Sequence, residues 1–326
     1  MLKLVATVGV LAYIFSIIPF SEVITSLRSV KLSYVFLALL IVLFRCYLRA
    51  VQMKRFTDMQ ALSLSITQIF KINLTTSFYG LFLPGYLAGG AIRWYKFARP
   101  ENKFMEAMTS IAFNRLVELI VLVSLGVIFW TFNAPREVKH CSIGIVLWIV
   151  LAGLFILYFS LFYGRISSVS EWILRRAKLS IVPQTFRNKI KTLLISRYRY
   201  QNLSWNLLAR IFGFSLFGHL LGAFSFYLFL ESLNIHILFF EIISIWSILI
   251  LVMMMPISFS GLGVREGLLI IFLKPYGVSA AEAVALSLLL YLRTLFLGAI
   301  GGLFEVKNLF FLRFDKKEVL AICPKQ

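Results

Sequence analysis

Residues 279–305 read SAAEAVALSLLLYLRTLFLGAIGGLFE. Between Glu282 and Glu305 the only charged residue is Arg293. A helix rises about 1.5 Å per residue, so roughly 20 residues cross a hydrocarbon core of about 30 Å. The alternation of a barrel strand is absent, and a backbone at that depth must satisfy its own hydrogen bonds. The stretch therefore predicts a transmembrane helix. Comparable runs lie at 3–20, 33–53, 66–83, 107–131, 142–163, 207–231 and 238–255. Two shorter runs, 84–97 and 256–273, are interrupted by Gly and Pro. The expected fold class is an all-α polytopic membrane protein with eight long spans and two short broken segments.

Composition agrees. Apolar residues make up 60% of the chain and charged residues 14%, against about 45–50% and roughly 25% in soluble domains. The net charge is +19, from 33 Lys and Arg against 14 Asp and Glu. No basic soluble domain is present to carry nucleic acid, so the charge reads as basic loops that set orientation and touch anionic headgroups. The basic stretch 164–203, the tail 311–326, Lys54 with Arg55, and Arg93 to Lys103 all fall on one side if both short runs cross. That side is expected to be the cytoplasm, with both termini inside a prokaryotic plasma membrane. Arg28, Lys31, Arg136 and Lys139 are the outside exceptions. Within 164–203, Phe186, Ile190, Leu193 and Leu194 recur at helical spacing, which suggests a surface helix on the inner leaflet. The first run lacks a small-x-small cleavage site and reads as a retained span. Cys46, Cys141 and Cys323 show neither zinc spacing nor a disulfide framework.

The two broken runs resemble one another. Pro84 to Arg93 reads PGYLAGGAIR and Pro256 to Arg265 reads PISFSGLGVR. Pro84 aligns with Pro256, Gly89 with Gly261 and Arg93 with Arg265. Each segment precedes an acidic-Ala pair, Glu106-Ala107 or Glu282-Ala283, and then a long span with one arginine, Arg115 or Arg293. In the topology above, the copies 66–131 and 238–305 have opposite orientations. Such an inverted repeat is a transporter plan whose paired Gly/Pro breaks point to the binding site. Coincidence among frequent membrane Gly and Pro is the competing explanation. Proline opens the helix ladder, and glycine lets backbone approach a ligand. Freed N–H groups at Gly89-Gly90 and Gly261-Gly263, with Arg93 and Arg265, would favour an anion.

Other charges fall inside spans. Arg115 and Glu118 are three apart on one face. With Arg293 and Glu266 they are candidates to line or brace a headgroup path, since ionisable groups at depth face a cavity or a partner. Arg115–Glu118 also reads as a structural pair. Arg45 and Arg49, on one face of their span, read either as snorkelling to the cytoplasmic edge or as part of the headgroup path, and His219 as a packing residue. Only Asp58 and Asp315 are aspartates, so no Asp-x-Asp pair exists to hold a metal, and no nucleophile elbow or P-loop appears. No cofactor, metal or catalytic residue is expected.

The segment PISFSGLGVREG (256–267), its continuation GVSAAEAVALSLLLYLRTLFLGAIGGL, and LPGYLAGGAIRWYKF with AFNRLVELIVLVSLG resemble the lysylphosphatidylglycerol synthase transmembrane-domain family, also called flippase-like. The resemblance covers about 5–310, so 1–310 reads as a single transmembrane flippase-like domain. Members of the family often carry an acid in the first motif, where Ala91 stands here; a role needing that carboxylate is not implied. The resemblance implies translocation of an anionic phospholipid or a polyprenyl-phosphate-linked lipid. With no room seen for a soluble aminoacyl-transfer domain, it implies a transporter and not an enzyme. The alternatives are a membrane enzyme acting on a lipid phosphate, or a scaffold partner of a lipid-synthesis enzyme.

Overall fold

The computed structural model describes residues 18–82, 86–133, 143–162, 204–254 and 263–322, with side chains through 306 in the last segment. Among the described residues the chain is all helical. Pro84, Pro256, Gly261, most of the run 3–20 and the stretch 164–203 lie outside them. The helices are α1 (Phe20–Arg28), α2 (Leu32–Met59), α3 (Ile66–Phe82), α4 (Tyr86–Ala98), α5 (Phe104–Asn133), α6 (Ile143–Phe162), α7 (Trp205–Ser232), α8 (Phe239–Met253), α9 (Val264–Leu273) and α10 (Ala280–Ile322). Four stretches, 32–59, 104–132, 205–232 and 280–306, are long and apolar enough to cross a membrane. The expected spans at 66–83 and 238–255 form helices of 17 and 15 residues.

Local signals start the helices. Ser65 Oγ accepts from Gln68 N–H at 3.2 Å while Gln68 Oε1 accepts from Ser65 N–H at 2.8 Å. Ser279 and Glu282 repeat the arrangement at the start of α10, at 3.2 and 2.8 Å. Each reciprocal pair satisfies donors that a helix start leaves free. A 3₁₀ turn at Lys274–Tyr276 ends on Gly277, whose φ of +77° suits a residue without Cβ.

Helices α3 and α4 form a hairpin whose open ends meet. Leu62, Leu64, Ile69, Phe97, Ala98 and Ala107 share one buried cluster. Lys103 Nζ donates to the Ala61 carbonyl at 2.7 Å, and Ser63 N–H donates to Glu101 at 2.5 Å. Helices α8 and α9 form a second hairpin, opening the other way. Phe272 of α9 meets Trp130 edge-on at 6.1 Å, and Phe240 of α8 stacks on Phe129 at 5.8 Å. Helix α5 serves as the ruler, because Ala107 and Trp130 sit at its opposite ends, about 35 Å apart at 1.5 Å per residue. Helices α4 and α9 thus return to the end from which their hairpin set out.

Packing between these units is reciprocal. Helix α3 packs on α10, α8 packs on α5, and α4 and α9 pack on α5 and α10. The α3–α10 contact is the closest. A Cβ placed on Gly301 would lie 2.0 Å from the Leu74 carbonyl oxygen, and one on Gly302 would lie 2.9 Å from the Phe78 ring. Small residues let membrane helices approach this nearly, where dispersion replaces the absent hydrophobic drive. The main core joins α2, α5, α7, α8, α9 and α10 around Phe226, Phe229, Trp246, Leu269 and Leu286.

Candidate functional site

Several spans carry a polar group near their midpoints, and packing brings these groups to one level. Helices α2 and α7 run side by side. Arg45 Nε donates to the Gly218 carbonyl at 2.7 Å, and its guanidinium lies over the Trp246 ring at 5.8 Å. A helical carbonyl has a second lone pair, so Gly218 can accept this bond without leaving its ladder. Gly222 makes the slot, since a Cβ there would sit 3.0 Å from both Arg45 Cζ and Trp246.

One turn further along α2, Arg49 holds Glu118 of α5 bidentately, through Nε to Oε1 at 3.1 Å and Nη2 to Oε2 at 2.5 Å. Arg115 Nη1 reaches Oε2 at 3.2 Å and Asn114 Nδ2 reaches Oε1 at 3.2 Å. Glu118 is 5% exposed, so its charge is sustained by these donors. His219 Nε2 lies 3.0 Å from the Glu118 carbonyl. A carbonyl only accepts, so this nitrogen is assigned the proton.

The start of α9 builds a second network. Gly263 precedes the helix with φ of +83°, a conformation that favours glycine. Its N–H donates to Glu266 Oε2 at 2.6 Å. Arg265 Nη2 donates to Glu266 Oε1 at 3.1 Å, Arg265 Nε donates to Ser287 Oγ at 2.6 Å, and the Ser287 hydroxyl donates back to Glu266. Arg265 and Glu266 are both buried. Next to this network is a cavity of about 80 Å³ whose polar lining comes from Trp246, Arg265, Tyr291, Arg293 and Thr294. Arg293 lies over the Trp246 ring at 5.2 Å, and Arg265 over the Tyr291 ring at 5.8 Å. Among the described residues, Arg293 Nη1 and Trp246 Nε1 are buried donors that meet no hydrogen-bond partner. Such groups cost free energy unless an acceptor meets them. Chemically the cavity offers positive charge and free N–H donors, which is the complement of an anion.

The family of the lysylphosphatidylglycerol synthase TM region matches residues 1–302. The chain belongs to that family. Among curated proteins none matches it. Membership makes it a membrane protein related to lipid metabolism.

Against that family frame, the residues singled out in the sequence divide into those the structure gathers and those it places elsewhere. Arg265 and Arg293 line one cavity. Arg115 and Glu118 meet in one ion pair. Arg93 lies over the Phe97 ring at 5.5 Å and not in the cavity lining. It does lie within electrostatic reach of Cys46, as do Arg45 and Arg49. Two expectations change. Gly89 and Gly90 stand inside α4, not in a loop, and Gly89 packs 3.4 Å from Thr76 Cγ2. The Gly263 N–H is engaged by Glu266, because a carboxylate three residues into a helix reaches back to its start. The snorkelling expected of Arg45 and Arg49 is also corrected, as both point to inward partners. Helix α2 continues to Met59, which places Arg45 near its middle. Trp246 gave no sequence signal, since an aromatic residue in an apolar run looks like ordinary packing.

Proposed function

We propose that this protein moves an anionic lipid or lipid-linked sugar across the cytoplasmic membrane. The observation that carries this reading is the cavity where Arg265, Arg293 and Trp246 meet, with two buried N–H donors that find no acceptor among the described residues. Guanidinium groups stay charged when buried and match phosphate oxygens in pairs. Around the cavity, Arg45, Arg49 and Arg115 outnumber the available acids, which supports a path for negative charge. The phosphate enters this level while the acyl or polyprenyl tails stay in the bilayer. Arg93 stands on the approach along α4, with Gly89 and Gly90 keeping that helix slim.

Two further features support the reading. The hairpins α3–α4 and α8–α9 open toward opposite ends, and each unit's first helix packs on the other unit's last. An inverted repeat with re-entrant hairpins would produce this reciprocity, and such repeats carry transporter sites near the midplane. Charge is also asymmetric. Lys54, Arg55, Lys71, Lys96, Arg99, Lys103 and Arg210 outnumber Asp58, Glu101, Glu106 and Glu305 at one end. At the other, among the described residues, Glu22, Glu231, Glu241 and Glu282 stand against Arg28, Lys31 and Lys274, and the sequence between α5 and α6 adds Arg136, Glu137 and Lys139, so acids and bases balance. By the excess of basic residues on inner loops, the first end is cytoplasmic.

The test is movement of headgroup-labelled phosphatidylglycerol and of a polyprenyl-phosphate sugar in liposomes holding the purified protein. Movement of either above protein-free liposomes is the expected result. No movement of either, together with a new lipid species made from added donors, would instead favour an enzyme. Co-purification of a lipid synthase without movement would favour a scaffold.

A further inference from the structure

The acids of this midplane level are all spoken for. Glu118 accepts from Arg49 twice, from Arg115 and from Asn114. Glu266 accepts from Gly263, Arg265 and Ser287. The aromatic faces that could hold an ammonium are occupied as well. Trp246 is covered by Arg45 and Arg293, and Tyr291 by Arg265. What remains unmet is donor capacity, at Arg293 Nη1 and Trp246 Nε1. An acceptor-only group satisfies these donors, whereas an ammonium adds charge beside Arg265 and Arg293 with no described carboxylate free to balance it.

Size narrows the ligand further. A cavity of about 80 Å³ exceeds the roughly 10–15 Å³ that one water needs by this measure, so it has room for a phosphate-sized group. Selection then acts on the charge of the headgroup near the phosphate, not on its identity.

We infer that this site discriminates by headgroup charge: it takes phosphate lipids of net negative headgroup and rejects those carrying an ammonium beside the phosphate, aminoacyl esters of phosphatidylglycerol included. This inference rests on the translocation reading for its biological use, but it concerns binding and can be tested without transport. An added positive charge here meets the guanidinium groups of Arg265 and Arg293 between protein walls, where Coulomb interactions are stronger than in bulk water.

The experiment uses the purified full chain in nanodiscs and measures binding of short-chain phosphatidylglycerol, phosphatidylethanolamine and the lysyl ester of phosphatidylglycerol by native mass spectrometry. The expected order is phosphatidylglycerol tightest and the lysyl ester weakest, separated by at least about tenfold, which corresponds to roughly 1.4 kcal/mol. In Arg293→Gln the separation should shrink, while binding of the zwitterionic lipid changes least. Lys at the same position, Arg293→Lys, should keep the order, which a purely structural role for Arg293 would not require. Equal or tighter binding of the lysyl ester to wild type overturns the inference, as does binding of none of the three. Liposome transport of the same lipids separates the two ideas. Movement of phosphatidylglycerol and lysyl ester alike would sink the charge selection and leave translocation standing. Selective binding without any movement would do the reverse.

Discussion

Replacing Gly301 with alanine tests the packing on which the midplane level depends. The added Cβ would fall 2.0 Å from the Leu74 oxygen, 2.4 Å from the Leu74 carbonyl carbon and 2.9 Å from the Thr75 nitrogen. All three are backbone atoms of α3, so no side-chain rotation relieves the clash. Ordinary contact begins near 3.4 Å, and α3 and α10 must therefore separate by at least about 1.4 Å at this point. A gap of 0.5–1 Å already forfeits about a quarter to a half of the dispersion well for the atoms along the seam. Overpacking of this kind costs about 1–3 kcal/mol, and a backbone clash belongs at the upper end, about 3 kcal/mol. The neighbouring glycines provide a graded series. Gly302→Ala meets the Phe78 ring at 2.9 Å, Gly298→Ala meets the tip of Leu81 at 2.4 Å, and Gly90→Ala meets nothing within 4 Å. Stability in detergent, read from loss of the monodisperse elution peak after heating, should fall in the order Gly301, Gly302, Gly298, with Gly90→Ala near wild type. A Gly301→Ala protein as stable as Gly90→Ala would refute the close α3–α10 contact.

Other outcomes follow from the same geometry. Glu118→Gln should cost about 1–2 kcal/mol, because it leaves the half-buried Arg49 and Arg115 without the carboxylate they share. The Glu118→Gln, Arg49→Gln double-mutant cycle should show a coupling well above the roughly 0.5 kcal/mol scatter of independent sites, and additivity would deny the pair. At the open end of α3–α4, Lys103 and the Ser63 N–H hold the Glu101 carboxyl below the usual carboxylate range. A depressed folded value means that this contact stabilises above the ordinary carboxylate pKa of about 4.3 and is lost as pH falls through the lower folded value. Hydrogen-exchange protection at 60–65 and 99–103, corrected for the intrinsic pH dependence of amide exchange, should therefore fall on acidification in wild type, and Glu101→Gln should remove most of that pH dependence. Single cysteines placed at Arg99 and at Lys274, in a background lacking Cys46, Cys141 and Cys323, should react with an impermeant thiol reagent from opposite sides. Labelling of both from one side would contradict the two-ended arrangement.

Much of this was legible in the chain, for identifiable reasons. Arg265 and Arg293 could be found because a lone arginine in an apolar run has few harmless places to go. The breaks near residues 84 and 256 were visible because Pro and Gly punctuate helices. The direction in which a side chain points was not legible. Arg49 falls late in the apolar run 33–53, so the run alone makes it an edge residue, whereas Arg45 lies just past the run's centre. The helix continues through Lys54 and Arg55 to Met59 and draws Arg45 to the middle. Gly89 and Gly90 carried the same composition as a loop, yet α4 already includes them, with Gly89 against Thr76. Whether each short run crosses or turns back partway was hidden, because the two leave the same parity for every later span. Trp246 could not be singled out at all; only tertiary packing lays two guanidinium groups over its ring.

The most direct measurement of the central claim is lipid movement in liposomes by wild type and by Arg293→Gln, each reconstituted at matched amounts and shown to be equally monodisperse. Headgroup-labelled phosphatidylglycerol, which wild type should move, is followed by chemical quenching at the outer leaflet. Loss of one charge-assisted donor set at the cavity should slow movement by about tenfold or more, the effect of roughly 1.5–3 kcal/mol for a hydrogen bond to a charged group. Equal rates for the two proteins would show that the lipid does not pass the Arg293 cavity and would contradict the account.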